Sequence, residues 1–185
     1  LITGNVTTRP DSVICEGFQF NVLGASAAGG GSGSYLYQWQ DSTSSGTWQP
    51  ASGVNTNQTH SPDTSRFAVA EQRFFRRVVF SGDDNVCRDN SSPILLTRFH
   101  KIENNIIGSD QTICSGSAPA QLVELLSVTG GAGAGTYTYQ WQDSSKAATW
   151  TDRSATRTPF APPALSDSTW YRRIVNSDVC TSTSK

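Results

Sequence analysis

The hexapeptide Tyr37-Gln38-Trp39-Gln40-Asp41-Ser42 recurs letter for letter as Tyr139-Gln140-Trp141-Gln142-Asp143-Ser144. An identity of this length makes the chain one module written twice, which constrains the fold before any other observation does. Further anchors fall into register around it. Asp11-Ser-Val-Ile-Cys15-Glu-Gly17 answers Asp110-Gln-Thr-Ile-Cys114-Ser-Gly116, and the glycine-rich runs 29–33 and 130–135 each precede the tyrosines. Thr47-Trp48 answers Thr149-Trp150, Pro62 answers Pro162, Phe75-Arg-Arg-Val-Val79 answers Tyr171-Arg-Arg-Ile-Val175, and Cys87 answers Cys180. Offsets change between anchors, so insertions fall in loops and the matched blocks mark the elements.

Two copies place the modules at residues 1–100 and 101–185, each about one small domain in size. With 14 Lys and Arg against 15 Asp and Glu, the net charge is −1. That balance offers no electrostatic case for a nucleic-acid partner or an anionic membrane surface. No apolar run reaches the roughly 20 residues that a spanning helix needs, so membrane insertion is not expected. The chain opens in mid-pattern at Leu1 and reads as a fragment cut from something longer.

Nearly every block reads as strand and turn. Alternation puts Tyr35, Tyr37 and Trp39 on one side of a strand, and Tyr137, Tyr139 and Trp141 on one side of its copy. A face with three large aromatics has to be buried, so Tyr37, Trp39, Tyr139 and Trp141 are the expected structural core. The glycine runs before them lack phosphate-loop spacing and precede a strand, not a helix. In the Phe-Arg-Arg block alternation sends the two arginines to opposite faces, which rules out one clamp for an anion. The arginine sharing a face with the core aromatics is expected to lay its stem along a ring and extend its guanidinium to water or a carboxylate.

Ser92-Pro-Ile-Leu-Leu-Thr-Arg-Phe99 reads as the closing strand of the first module, and the second stops at Lys185 before an equivalent appears. His100 to Ile106 passes between modules without a Pro/Gly/Ser linker, so a limited hinge and an extended tandem are expected. Short strands, regular turn signals and a Cys…Trp…Cys order together point to an all-β fold. Two tandem immunoglobulin-like β-sandwich domains are expected, the second without its last strand. Cys15 lies 24 residues before Trp39, which is not the antibody spacing.

Each module holds one cysteine near its start and one near its end, with no CxxC pair and only His60 and His100 as further soft ligands. Zinc is disfavoured. Free buried thiols remain open; the favoured reading is two intradomain disulfides, Cys15–Cys87 and Cys114–Cys180, hence an oxidising compartment. No catalytic motif appears, so no catalytic, cofactor-binding or metal site is expected, and Asp83-Asp84-Asn85 reads as a solvated turn, not a calcium loop.

The combination of IC-x-G, a glycine-rich turn, YQWQ, T-W, a proline, [YF]-R-R-[VI]-V and a final Cys resembles repeats of giant surface adhesins of Bacteroidetes, of the SprB gliding-motility type. The resemblance covers nearly all of both copies. It departs at His60, where the second copy has Phe160, and at the extra loop Asp83–Asn85. It implies tandem Ig-like modules, type IX secretion to the cell surface, and work as an adhesive or filament shaft. The implied partners are neighbouring repeats of the same chain, other copies in a filament, and surface polysaccharide. It also implies O-glycosylation at Asp-Ser/Thr motifs, with Ser12, Ser42 and Ser168 as candidate sites. Two other classes stay open. One is a glycan-binding module using Trp48 or Trp150 as a sugar platform; the other is an accessory module of a secreted glycan-active enzyme.

Overall fold

The computed structural model describes residues 1–184 apart from Pro10, 44–45, 69–70, 146–148, 154–156 and Thr158. The chain is all-β and divides into two units, Leu1–Phe99 and His100–Lys185. Among the described residues, helical geometry is confined to two 3-10 turns, Thr64–Arg66 and Asp83–Asn85.

In the first unit the strands are β1 (Ile2–Thr3), β2 (Thr7–Thr8), β3 (Val13–Cys15), β4 (Gly24–Ala25), β5 (Gly29–Gly30), β6 (Tyr35–Ser42), β7 (Gln49–Pro50), β8 (Gln72–Ser81), β9 (Cys87–Asn90) and β10 (Ile94–Glu103). Strand β10 runs past the expected closing strand, so residues 100–103 are strand and not link. The main sheet takes the order β10-β8-β6-β7. Two strands flank it: β9 pairs with the second half of β8, and β3 lies parallel to β10. Two short ladders, β1–β5 and β2–β4, stand apart from the main sheet.

The second unit repeats the pattern with β11 (Thr129–Gly131), β12 (Thr138–Ser144), β13 (Thr151–Asp152), β14 (Trp170–Ser177) and β15 (Cys180–Thr183), in the order β13-β12-β14-β15. There β11 pairs with His100 and Glu103.

Alternation explains the centre of each unit. Trp39 and Trp141 are 0% exposed. Trp39 joins Ile14, Phe20, Leu23, Phe67, Phe75 and Leu96 in one core, and Trp141 joins Ile107, Leu122 and Phe160 in the other. Tyr37 and Tyr139, expected to be buried, are only half-buried. They sit farther along the same face, where arginine side chains cover them.

The cysteine pairing departs from expectation. Cys15 and Cys180 are half-cystines, whereas Cys87 and Cys114 are free thiols, so neither Cys15–Cys87 nor Cys114–Cys180 forms. For Cys15 and Cys87, register supplies the reason. Cys87 lies opposite Ser81 at one end of β8, and Cys15 lies opposite Phe99, two positions beyond the pairing of Thr97 with Gln72 at the other end. Nine residues of strand separate Gln72 from Ser81, roughly 30 Å at about 3.3 Å per residue. A disulfide needs Cα atoms within about 7 Å.

The glycine turn has a stricter requirement than flexibility. Gly31 and Gly131 adopt φ of +58° and +59°, and a Cβ at either would collide with the hydroxyl of Ser81 or Ser177. Those serines accept hydrogen bonds from the turn amides, Ser32 N to Ser81 Oγ at 3.0 Å and Ala132 N to Ser177 Oγ at 2.8 Å. Tyr35 and Tyr137 close the same turns by donating to Gly30 O and Gly130 O at 2.5 and 2.7 Å. Gly131→Ala is therefore expected to lower unfolding free energy by about 1–3 kcal/mol, from a strained left-handed residue and a displaced serine. Chemical denaturation followed by tryptophan fluorescence measures it, and a loss no larger than that of an Ala substitution at open Gly108 contradicts the assignment.

Candidate functional site

The residues with the most unusual environments are the second arginines of the Phe-Arg-Arg blocks. Arg77 stands directly across from Trp39, and Arg173 directly across from Trp141. Both arginines are 0% exposed. A guanidinium in such a place must have its charge compensated, because an uncompensated buried charge is strongly destabilising.

In the first unit, Arg77 Nε donates to Asn5 Oδ1 at 2.9 Å, Nη2 to Ser26 O at 2.9 Å and Nη1 to Gln58 O at 3.3 Å. Its guanidinium lies over the Tyr37 ring, 5.0 Å from the centroid. Among the described residues no carboxylate pairs with it, so neutral oxygens and a π face hold the charge. Desolvation accordingly lowers the Arg77 pKa, and Tyr37 partly opposes the shift. The expected reach to water or a carboxylate is thus corrected for this arginine. Carbonyls of two loops converge on it, leaving no opening to solvent.

The second unit solves the same problem with charge. Arg173 Nε donates to Asn105 Oδ1 at 3.0 Å, while Nη1 donates to Glu124 Oε2 at 2.8 Å and to Arg157 O at 3.2 Å. Glu124 also accepts from Arg157 Nη2 at 2.5 Å. Burial pushes the Glu124 carboxyl up, but the bonds and charges of Arg157 and Arg173 outweigh it together, leaving its pKa lowered.

Asn5 and Asn105 complete both centres, and their roles were not read from the sequence. Each amide nitrogen donates to two strand carbonyls: Asn5 to Arg77 O and Asp89 O, Asn105 to Arg173 O and Ser182 O. One side chain thereby joins the N-terminal segment of a unit to β8 and β9, or to β14 and β15. The signal was present, since Ile2 to Asn5 and Ile102 to Asn105 share a spacing. Ser91 and Ser184 finish the pattern, each accepting the amide of its arginine at 2.9 Å.

The opposite face carries the first arginines. Arg76 stacks on Trp48 and Arg172 on Trp150, each with 4.1 Å from guanidinium to ring centroid. Gln40 and Gln142 hold them by accepting from Nε at 2.9 and 2.7 Å. The repeated aspartates are engaged too, Asp41 by Arg73 and Asp143 by Arg153, at 2.8 Å each.

The glycosylation candidates differ in access. Ser168 is exposed and Ser12 half-buried, but Ser42 is 2% exposed inside β6, out of reach of a modifying enzyme. The Asp83–Asn85 turn is exposed, with Asp84 and Asn85 in left-handed geometry. Among the described residues no three His, Cys, Asp or Glu side chains gather as metal ligands.

His60 takes the place that Phe160 holds in the second unit. It is buried and stacks on Trp39 with centroids 5.6 Å apart, against 5.1 Å for Phe160 on Trp141. Its Nδ1 lies 3.1 Å from Val54 O, which selects the neutral tautomer protonated at Nδ1. Desolvation lowers the His60 pKa, although Val54 O and Asp41 favour the cation.

Two outcomes follow from these environments. Asn105→Ala takes from Arg173 Nε its acceptor and from two strand carbonyls one donor, and loss of a hydrogen bond to a buried charge alone costs about 1.5–3 kcal/mol. Urea denaturation is expected to show at least that loss, and a change below 1 kcal/mol would refute the role. For His60 the folded-state pKa lies below the unfolded one, so the unfolded chain binds the proton more tightly. Stability is complete above about pH 6.5, the ordinary imidazole value, and declines as pH falls below it. Tm at pH 5 is therefore expected to lie below Tm at pH 7.5, and His60→Phe should flatten that difference; an unchanged profile in the variant would contradict it.

The comparisons with known proteins agree with the internal repeat. No curated protein matches the chain. A family profile described as a domain of unknown function, DUF8696, matches twice, over residues 4–98 and 103–185. The chain belongs to that family, and each half is one copy of its domain.

Proposed function

We propose that the chain is a non-catalytic structural or adhesive repeat segment of a large bacterial cell-surface protein, akin to the shaft of a SprB-type gliding adhesin. One observation carries this reading: apart from the cysteines, the most distinctive side chains that both copies share are engaged inside their own module. The paired arginines, the core tryptophans, Asn5 and Asn105, and the hexapeptide's glutamine and aspartate all find partners within the fold. A binding module copied for its ligand repeats an open constellation; a spacer repeats its interior.

The half-cystines Cys15 and Cys180 favour an oxidising, extracytoplasmic location, because thiols in the cytosol are kept reduced. The proposed mechanical role needs no disulfide within each module. It rests on the long antiparallel pairing of β6 with β8 and of β12 with β14, locked by the buried arginine centres. The glycan-binding alternative is weaker at Trp48 and Trp150, since each ring is half-buried and already has a guanidinium stacked on one face.

Antibodies raised against the exposed turn around Val86 are expected to label intact, unpermeabilised cells of the source bacterium. Labelling only after permeabilisation would overturn the surface assignment, and specific binding on a glycan array that is lost in Trp48→Ala would favour the alternative.

A further inference from the structure

Two buried acceptors in the first unit are left over once its own hydrogen bonds are made. Asp41 is 4% exposed and His60 2%. Arg73 Nη1 donates to Asp41 Oδ2 at 2.8 Å, and His60 Nδ1 donates to Val54 O at 3.1 Å. Asp41 Oδ1 and His60 Nε2 are buried as well and meet no hydrogen-bond partner among the described residues. An ionised carboxylate only accepts, and an imidazole protonated at Nδ1 is an acceptor at Nε2. Neither atom can therefore satisfy the other, and a buried polar atom left unpaired is destabilising.

Strand register gathers these atoms in one corner of the core. Trp39 and Asp41 stand two residues apart on one face of β6, and Phe75 lies directly across from Asp41 on β8. The imidazole packs against both rings, with centroids 5.6 Å from Trp39 and 5.7 Å from Phe75. Its place in the second unit belongs to Phe160, which sits 5.1 Å from Trp141 and fills the corner with a six-membered ring. The five-membered ring of His60 is smaller and adds an acceptor that a phenyl ring lacks.

We propose that Asp41 and His60 hold one interior water molecule, which donates one hydrogen to Asp41 Oδ1 and the other to His60 Nε2. Water is the smallest group that carries two donors, and otherwise unsatisfied polar groups are where buried water is held. A metal ion does not fit. Among the described residues no third His, Cys, Asp or Glu joins the pair, and the Arg73 guanidinium already rests on Asp41. The water completes a chain from Arg73 through Asp41 and His60 to Val54 O. The loop bearing Val54 is thereby tied to β6 and β8 by polar bonds as well as by ring stacking. Phe160 offers no acceptor, so the site belongs to the first unit.

A crystal structure of the whole chain at pH 7.5, at a resolution that shows ordered water, reads the site directly. A peak about 2.7–3.2 Å from both Asp41 Oδ1 and His60 Nε2 is expected. In solution, water-selective NMR should show cross-peaks between a long-lived water and the ring protons of His60 and Trp39. In His60→Phe the crystallographic peak and the Trp39 cross-peak should both be lost, while Arg73 stays on Asp41; the packing of Phe160 shows that a phenyl ring suits this place. Three results would each overturn the proposal. They are a corner without water in both measurements, direct contact between Oδ1 and Nε2 through a shared proton, and a water that persists unchanged in His60→Phe.

Discussion

A charged side chain set directly across a strand pair from a buried indole is the constraint around which each unit is organised. Arg77 and Arg173 face Trp39 and Trp141, with no exposure to water. A cation in that position dictates what surrounds it: oxygens at hydrogen-bond distance, in the plane of the guanidinium, supplied by segments far away in sequence. Asn5 and Asn105 answer from the N-terminal segment, 72 and 68 residues away. Folding the arginine strand therefore requires the first segment, the loops and the partner strand to arrive together. Such a centre favours one register over its neighbours, since a one-residue slip would carry the arginine to the other face and a different residue into the core.

The two units meet this demand by different chemistry. Around Arg77 the charge is dispersed onto two loop carbonyls, an amide and the Tyr37 face; around Arg173 a carboxylate, Glu124, neutralises it and recruits Arg157. A similar exchange occurs one layer away, where His60 replaces Phe160 against the core tryptophan. The imidazole fills nearly the same space and gains a bond to Val54 O, at the expense of sensitivity to acid. Shape is preserved in both cases while polarity varies, as close packing of the interior requires.

The same division separates inside from outside. The shared arginines, core tryptophans and hexapeptide aspartates, including the surface-facing arginines stacked on Trp48 and Trp150, are tied to partners in their own unit. Beyond those interior exchanges, the copies differ in turns such as Asp83–Asn85. A repeat whose common features serve its own architecture suits the proposed spacer role.

By itself the sequence determined the duplication, the all-β class, the strand through Tyr35–Gln40 with its copy, and the burial of both tryptophans. Each follows from local pattern: a period of two, β-favouring residues and turn residues between blocks. It also placed the two arginines of each pair on opposite faces, since that depends only on the pleat. Tertiary structure alone decided the rest. The cysteines of one module are spaced as a pair would be, yet register puts them at opposite ends of one strand. The fate of each guanidinium depended on which distant loops brought oxygens to it. Asn5, to which the sequence assigned no role, became the joint of a unit because three backbone and side-chain groups converge on its amide. Spacing along a chain states which residues recur, and only the pairing of strands states which of them meet.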